Sequence, residues 1–122
     1  SDGPAWQIQD AMTKWSATGS HVKFALAPNC AANAIKVLVK MGTTDDKAYW
    51  GETGWDGTSY TVALSKGAVA DWDKRTTTLH EFGHVSGLGH DTNHDIMNPK
   101  VVDVDTVDPA LLAQTGPPSP TQ

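Results

Sequence analysis

The sequence predicts one small α+β domain. A helical stripe opens the chain, alternating apolar segments follow it, and a second helical run comes after them. Its 122 residues are enough to bury a single core without disulfides. Hydrophobic residues at 39% and charged residues at 19% suit a folded chain rather than a disordered one.

The opening stripe is Trp6, Ile8, Ala11, Met12 and Trp15, recurring at three- and four-residue spacings. Pro4 suits the first turn of this helix and Gly19 its end. Residues 21–27, HVKFALA, alternate Val22, Phe24 and Leu26 and predict a strand. Residues 34–41, AIKVLVKM, place Ile35, Val37, Val39 and Met41 on one face and Lys36 and Lys40 on the other, a second strand. Pro28-Asn29 supplies the turn between them.

From Gly42 to Ser59 the chain is rich in Gly, Asp and Thr and predicts a long surface loop. Its Trp50 and Trp55 are expected to pin that loop onto the body. SYTVALSK then alternates Tyr60, Val62 and Leu64 as a third strand. Residues 73–89 predict the main helix, capped near Asp73 and stopped by Gly87. A short closing helix follows, with Asp108 as N-cap and Pro109 at the first helical position. The domain is read as residues 1–115, with 116–122, GPPSPTQ, as a linker or frayed tail.

The net charge of -5 argues against nucleic acid or an anionic membrane surface as partner, since both call for clustered Lys and Arg. No apolar run reaches the length of a membrane span, and no signal peptide is visible. Cys30 is the only cysteine, so no internal disulfide forms; it is expected to be a small buried hydrophobe.

Four of the five histidines fall between residues 80 and 94. His80 and His84 are four apart on the predicted helix, so both imidazoles leave one face about one turn apart. Gly87 lets the chain turn back through a left-handed conformation, and His90 then supplies a third nitrogen. Three protein ligands leave a fourth position open, the arrangement of a catalytic metal rather than a structural one. Glu81, beside His80, is placed to take a proton from water rather than to bind the ion. Three neutral imidazoles suit Zn2+ best, with iron or manganese as alternatives. A chance match to HExxHxxGxxH in a chain of this length is on the order of one in 10^5 or rarer, which favours the metal reading over a helix with surface histidines and an incidental glutamate. His94 is expected to be an exposed loop histidine rather than a second metal ligand. His21 has no nameable partner. Asp103, Asp105 and Asp108 could hold Ca2+, but turn and capping roles explain them more cheaply.

HEFGHVSGLGH followed by Met97 resembles the metzincin clan of zinc metallopeptidases, whose signature is the extended zinc motif and a methionine-containing turn. Asp95-Ile96-Met97-Asn98-Pro99 is most similar to the Met-turn of matrixins, and AMTKWSATGSHVKFAL to their helix-into-strand entry. The resemblance implies a minimal metzincin-like domain: a twisted mixed sheet, an N-terminal helix, an active-site helix, the Met-turn and a short C-terminal helix. The matrixin structural-zinc loop is absent, as is the strand that normally precedes the first helix. The run from residue 60 to 84 also resembles the small snapalysins, which carry aspartate as third ligand where this chain has His90.

By this resemblance the chain is a secreted zinc endopeptidase with Glu81 as general base and one catalytic Zn2+ on His80, His84 and His90. Met97 packs beneath the ligands, and Pro99, Lys100 and Val101 line the primed-side pocket. The implied partner is a protein or peptide bound in extended form to a monomer, with residues 59–66 as the candidate edge strand that pairs with it. An interior strand is the equal alternative, since edge and centre look alike in one sequence. The competing reading is a zinc-stabilised binding or structural module of a larger protein. Glu81 separates the two, because a structural site does not need it.

Overall fold

The computed structural model describes residues 6–28, 30, 34–44, 51–65, 71–98, 104 and 106–116. Among the described residues, three helices and a three-stranded mixed sheet make up an α+β fold: α1 (Ile8–Trp15), β1 (Val37–Thr44), β2 (Gly51–Trp55), β3 (Tyr60–Ser65), α2 (Asp71–Val85) and α3 (Pro109–Gln114). A 3-10 turn, Asp95–Met97, lies between α2 and α3.

The stripe of α1 is buried as its spacing predicts, with Ala11 and Trp15 inside and Ile8 and Met12 packed against the core. Trp15 is fully buried, and its Nε1 donates to the carbonyl of Leu79 on α2 at 2.8 Å. A buried indole needs such an acceptor, so the bond fixes α1 against α2. The helix is shorter than expected. It ends at Trp15, and Gly19, with φ near 100°, serves the turn beyond it.

Residues 21–26 are not a strand, contrary to their alternation. Val22 and Phe24 do face inward, but their backbone N–H groups donate to the hydroxyls of Ser20 and Ser16 instead of to a neighbouring strand. His21 finds a partner after all, with its N–H and Nδ1 on Thr115 at 2.8 and 2.7 Å. Cys30 is exposed, not buried, with its thiol on the carbonyl of Ala25.

The sheet has the order β1-β3-β2, with β1 parallel and β2 antiparallel to β3. β1 starts at Val37 rather than Ala34 and runs on through residues assigned from sequence to the loop. The largest correction is β2, which occupies the second half of that predicted loop. It forms because Asp56 closes a tight hairpin: Oδ1 accepts from the N–H groups of Thr58 and Ser59, each at 2.8 Å, and Gly57 takes φ near 103°. Trp55 then stands opposite Tyr60 with ring centroids 4.6 Å apart, pinned to the body as expected, though from a strand. Trp50 lies outside the described residues.

β3 is therefore central, not the edge. Tyr60, Val62 and Leu64 are fully buried on the face that meets α2, while Leu38 and Lys40 of β1 are exposed on the other face. One core joins this face to Trp6, Trp15, Leu79, Phe82, Met97 and Leu111. α2 lies across it, packing on α1, β2, β3 and the 3-10 turn. It begins at Asp71, so Asp73 sits inside the helix and not at its cap. In α3 the expected cap is present: Asp108 accepts from the N–H of Ala110 at 2.9 Å, with Pro109 at the start. No helix among the described residues is long and apolar enough to cross a membrane.

Candidate metal centre

The end of α2 sets the geometry of the site. Leu88 N–H donates to the carbonyl of Gly83 at 3.1 Å and Gly87 N–H to that of His84 at 3.0 Å, the paired bonds of a Schellman motif. Gly87 takes φ near 93°, a conformation that a residue with a Cβ adopts only under strain. The chain thereby reverses within one turn and brings His90 back toward the helix.

His80, His84 and His90 come together, with one ring nitrogen from each lying within 4.8 Å of the other two. No other group of this kind occurs among the described residues. Backbone carbonyls occupy the Nδ1 atoms of the two helical histidines: Ile96 O lies 2.6 Å from His80 Nδ1 and Leu88 O 2.8 Å from His84 Nδ1. A carbonyl only accepts, so Nδ1 carries the proton and Nε2 is left with a free lone pair. Such an arrangement both orients an imidazole and fixes its ligating tautomer.

Burial pushes the His80 imidazolium down to about 4, against the opposing pull of the Ile96 carbonyl, and the other two histidines lower it further. Burial lowers His84 as well, against the pull of the Leu88 carbonyl, and His90 adds to the shift. Both rings are therefore neutral near pH 7, the form a metal requires. The donor set fits a divalent ion that accepts nitrogen.

Met97 is fully buried in the 3-10 turn whose Ile96 carbonyl meets His80. The turn is fastened to the third histidine's neighbour, since Asp91 N–H donates to Met97 O at 2.8 Å. A Cβ at Gly83 would collide with Met97 Sδ and Trp15 Cζ2, so glycine here lets the turn approach α2. His94 is half-buried rather than free in a loop: Nδ1 meets Asp91 Oδ2 at 2.7 Å, and Nε2 lies 3.8 Å from Asp108 Oδ2.

Glu81 is 5% exposed, and burial pushes its carboxyl up to about 7. The hydroxyl of Thr53 opposes that shift, donating to Glu81 Oε1 at 2.5 Å, while the charge of Glu52 adds to it. Gly51 is held close on the same side, where a Cβ would lie 2.9 Å from Glu81 Cγ. Sequence reasoning missed these contacts because β2 was hidden in the predicted loop; the signal was Thr53 and Trp55 alternating just before Asp56-Gly57. Pro99, Lys100, Val101, Asp103 and Asp105 lie outside the described residues, and Asp108 serves as the cap of α3.

No protein-family model, curated protein or solved structure matches the chain. The geometry of the three histidines and Glu81 therefore carries the functional argument.

Proposed function

We propose that the chain is a zinc-dependent endopeptidase of metzincin type, acting outside the cell on proteins bound in extended form. The observation that carries this reading is the convergence of three imidazoles, two with Nδ1 already engaged by backbone carbonyls, beside a buried carboxyl in the next position of the same helix. Zinc is the ion that best suits three neutral nitrogen donors with a position left open. A purely structural site has no use for Glu81, whose burial costs free energy that catalysis would justify.

His80, His84 and His90 would hold the ion. When bound, the ion supplies Lewis acidity, polarising a carbonyl and lowering the pKa of water toward 7. Glu81 takes the proton of the attacking water and returns it to the leaving amine as the C–N bond breaks. A carboxyl poised near neutrality can do both. Met97 and Ile96 keep the ligands in place from below. In the sequence Pro99 stands where some metzincins carry an assisting tyrosine, so no such role carries over to this chain.

The substrate strand is assigned to β2. Among the described residues β1 and β2 are the two edges of the sheet, and β2 is the one whose residues touch Glu81. An extended peptide added there continues the sheet beside the site.

Cleavage of casein by the zinc-loaded chain, with and without a chelator, tests the reading. Hydrolysis that the chelator abolishes and zinc restores is expected. Glu81→Ala should retain zinc and lose roughly 10²–10⁴-fold in rate. Bound zinc with no hydrolysis of casein or any other unfolded protein would move the assignment to a structural module.

A further inference from the structure

We infer that Thr53 is a positioning residue for Glu81, holding the carboxylate by one oxygen so that the other faces the attacking water. The inference rests on the peptidase reading above and adds to it a residue from outside the zinc motif. Thr53 Oγ1 lies 2.5 Å from Glu81 Oε1 and 3.3 Å from the carbonyl oxygen of Glu81 itself. Both residues are 5% exposed, so water does not compete for the bond. When Glu81 is ionised, a hydroxyl bond of this length belongs to the strong, charge-assisted class.

The two oxygens of Glu81 are thereby made unequal. Oε1 is occupied by Thr53, whereas Oε2 is not the oxygen that Thr53 holds and lies close beside Gly51, where a Cβ would stand 3.2 Å from it. A free glutamate side chain explores several rotamers, and most aim the carboxylate away from any one water. Thr53 removes that freedom efficiently because its own χ1 is stiff. Its backbone is set by the sheet and not by α2: Thr53 pairs with Val62, and its neighbours Glu52 and Gly54 pair with Ala63 and Thr61. The base is therefore located by two separate elements, the helix that bears it and the strand that holds its tip. β2 is also an edge of the sheet among the described residues. A substrate that extends the sheet there rests on the strand that orients the base.

The plain alternative is that the bond only fastens β2 to α2. Two measurements on Thr53→Val, which removes the hydroxyl but keeps the shape, separate the two. In the zinc-loaded chain kcat should fall about 10- to 100-fold with KM changed less than about twofold and zinc content unaltered. Thr53→Ser, which restores the hydroxyl, should recover kcat to within about threefold. In the metal-free chain, carbon-13 NMR of labelled glutamate should show a single Glu81 rotamer for wild type and Thr53→Ser, and rotamer averaging for Thr53→Val. If Thr53→Val fails to fold, Thr53→Ala carries the same test.

Unchanged kcat in Thr53→Val overturns the inference. So does a loss that Thr53→Ser fails to restore, or one matched by loss of zinc, because either assigns Thr53 to fastening the strand. Rotamer averaging in the wild type overturns it without reference to activity. A wild type that binds zinc, shows one rotamer and hydrolyses nothing overturns the peptidase reading, and the catalytic role of Thr53 falls with it.

Discussion

The Nδ1 of His80 lies 2.6 Å from the carbonyl oxygen of Ile96, so the turn that buries Met97 also orients the first imidazole. Disturbing the turn should reach the metal without touching a ligand. Met97→Ala leaves a cavity beneath α2 and should destabilise the chain by about 2–5 kcal/mol, while Met97→Leu should cost less than about 1.5 kcal/mol. Urea unfolding of both variants measures this, and zinc affinity should fall in the same order. Equal midpoints for the two would show that the site beneath the histidines is loosely packed.

Gly83→Ala tests the same contact from the helix side. In an exposed helix the change would stabilise by about 1 kcal/mol, since alanine is the better helix former. Here the new methyl meets Met97 and Trp15, and the sign should reverse to a loss of roughly 1–3 kcal/mol. A rise in the thermal midpoint of the variant would contradict the close approach of the turn to α2.

Stability without metal should depend on pH in two opposing ways. His80 binds its proton near 6.5 when unfolded and only near 4 when folded, and His84 is shifted in the same direction. The unfolded chain therefore holds more protons in that window, so stability falls as pH drops from 6.5 toward 4. Glu81 does the reverse. Its carboxyl is raised from 4.5 to about 7 in the folded chain, so stability falls as pH climbs between those values. Between pH 4.5 and 6.5 the two effects oppose each other. Glu81→Gln removes the second, and the variant should lose stability on acidification more steeply than wild type, by on the order of 1 kcal/mol per pH unit. Urea midpoints of chelator-treated protein at pH 4.5, 5.5 and 6.5 give the slopes. Equal slopes would mean that Glu81 does not hold its proton in the folded chain.

The parts of the fold that were legible in the sequence are those specified locally. The stripe of α1, the alternation of β3, the Asp108-Pro109 start of α3 and the His80–Gly87–His90 spacing each carry their own physical reason within a few residues. What was not legible depends on partners. Residues 21–26 alternate like a strand yet have no ladder, because nearby serine hydroxyls take up their N–H groups. β2 reads as loop, with two glycines and a glutamate in five residues, and becomes a strand only because the Asp56 turn folds it onto β3. That error hid Thr53 from the reading of the site and left edge and interior equally open for β3. Cys30 was misplaced for a simpler reason: composition gives the habit of a residue type, not the surroundings of one residue.

The most direct test of the account is the zinc content of the purified chain by elemental mass spectrometry, after gel filtration at neutral pH, alongside His84→Ala. One zinc per chain in the wild type, and well under one in the variant, is the predicted result. A wild type that carries no zinc and takes none up on addition would contradict the claim that His80, His84 and His90 converge to hold an ion.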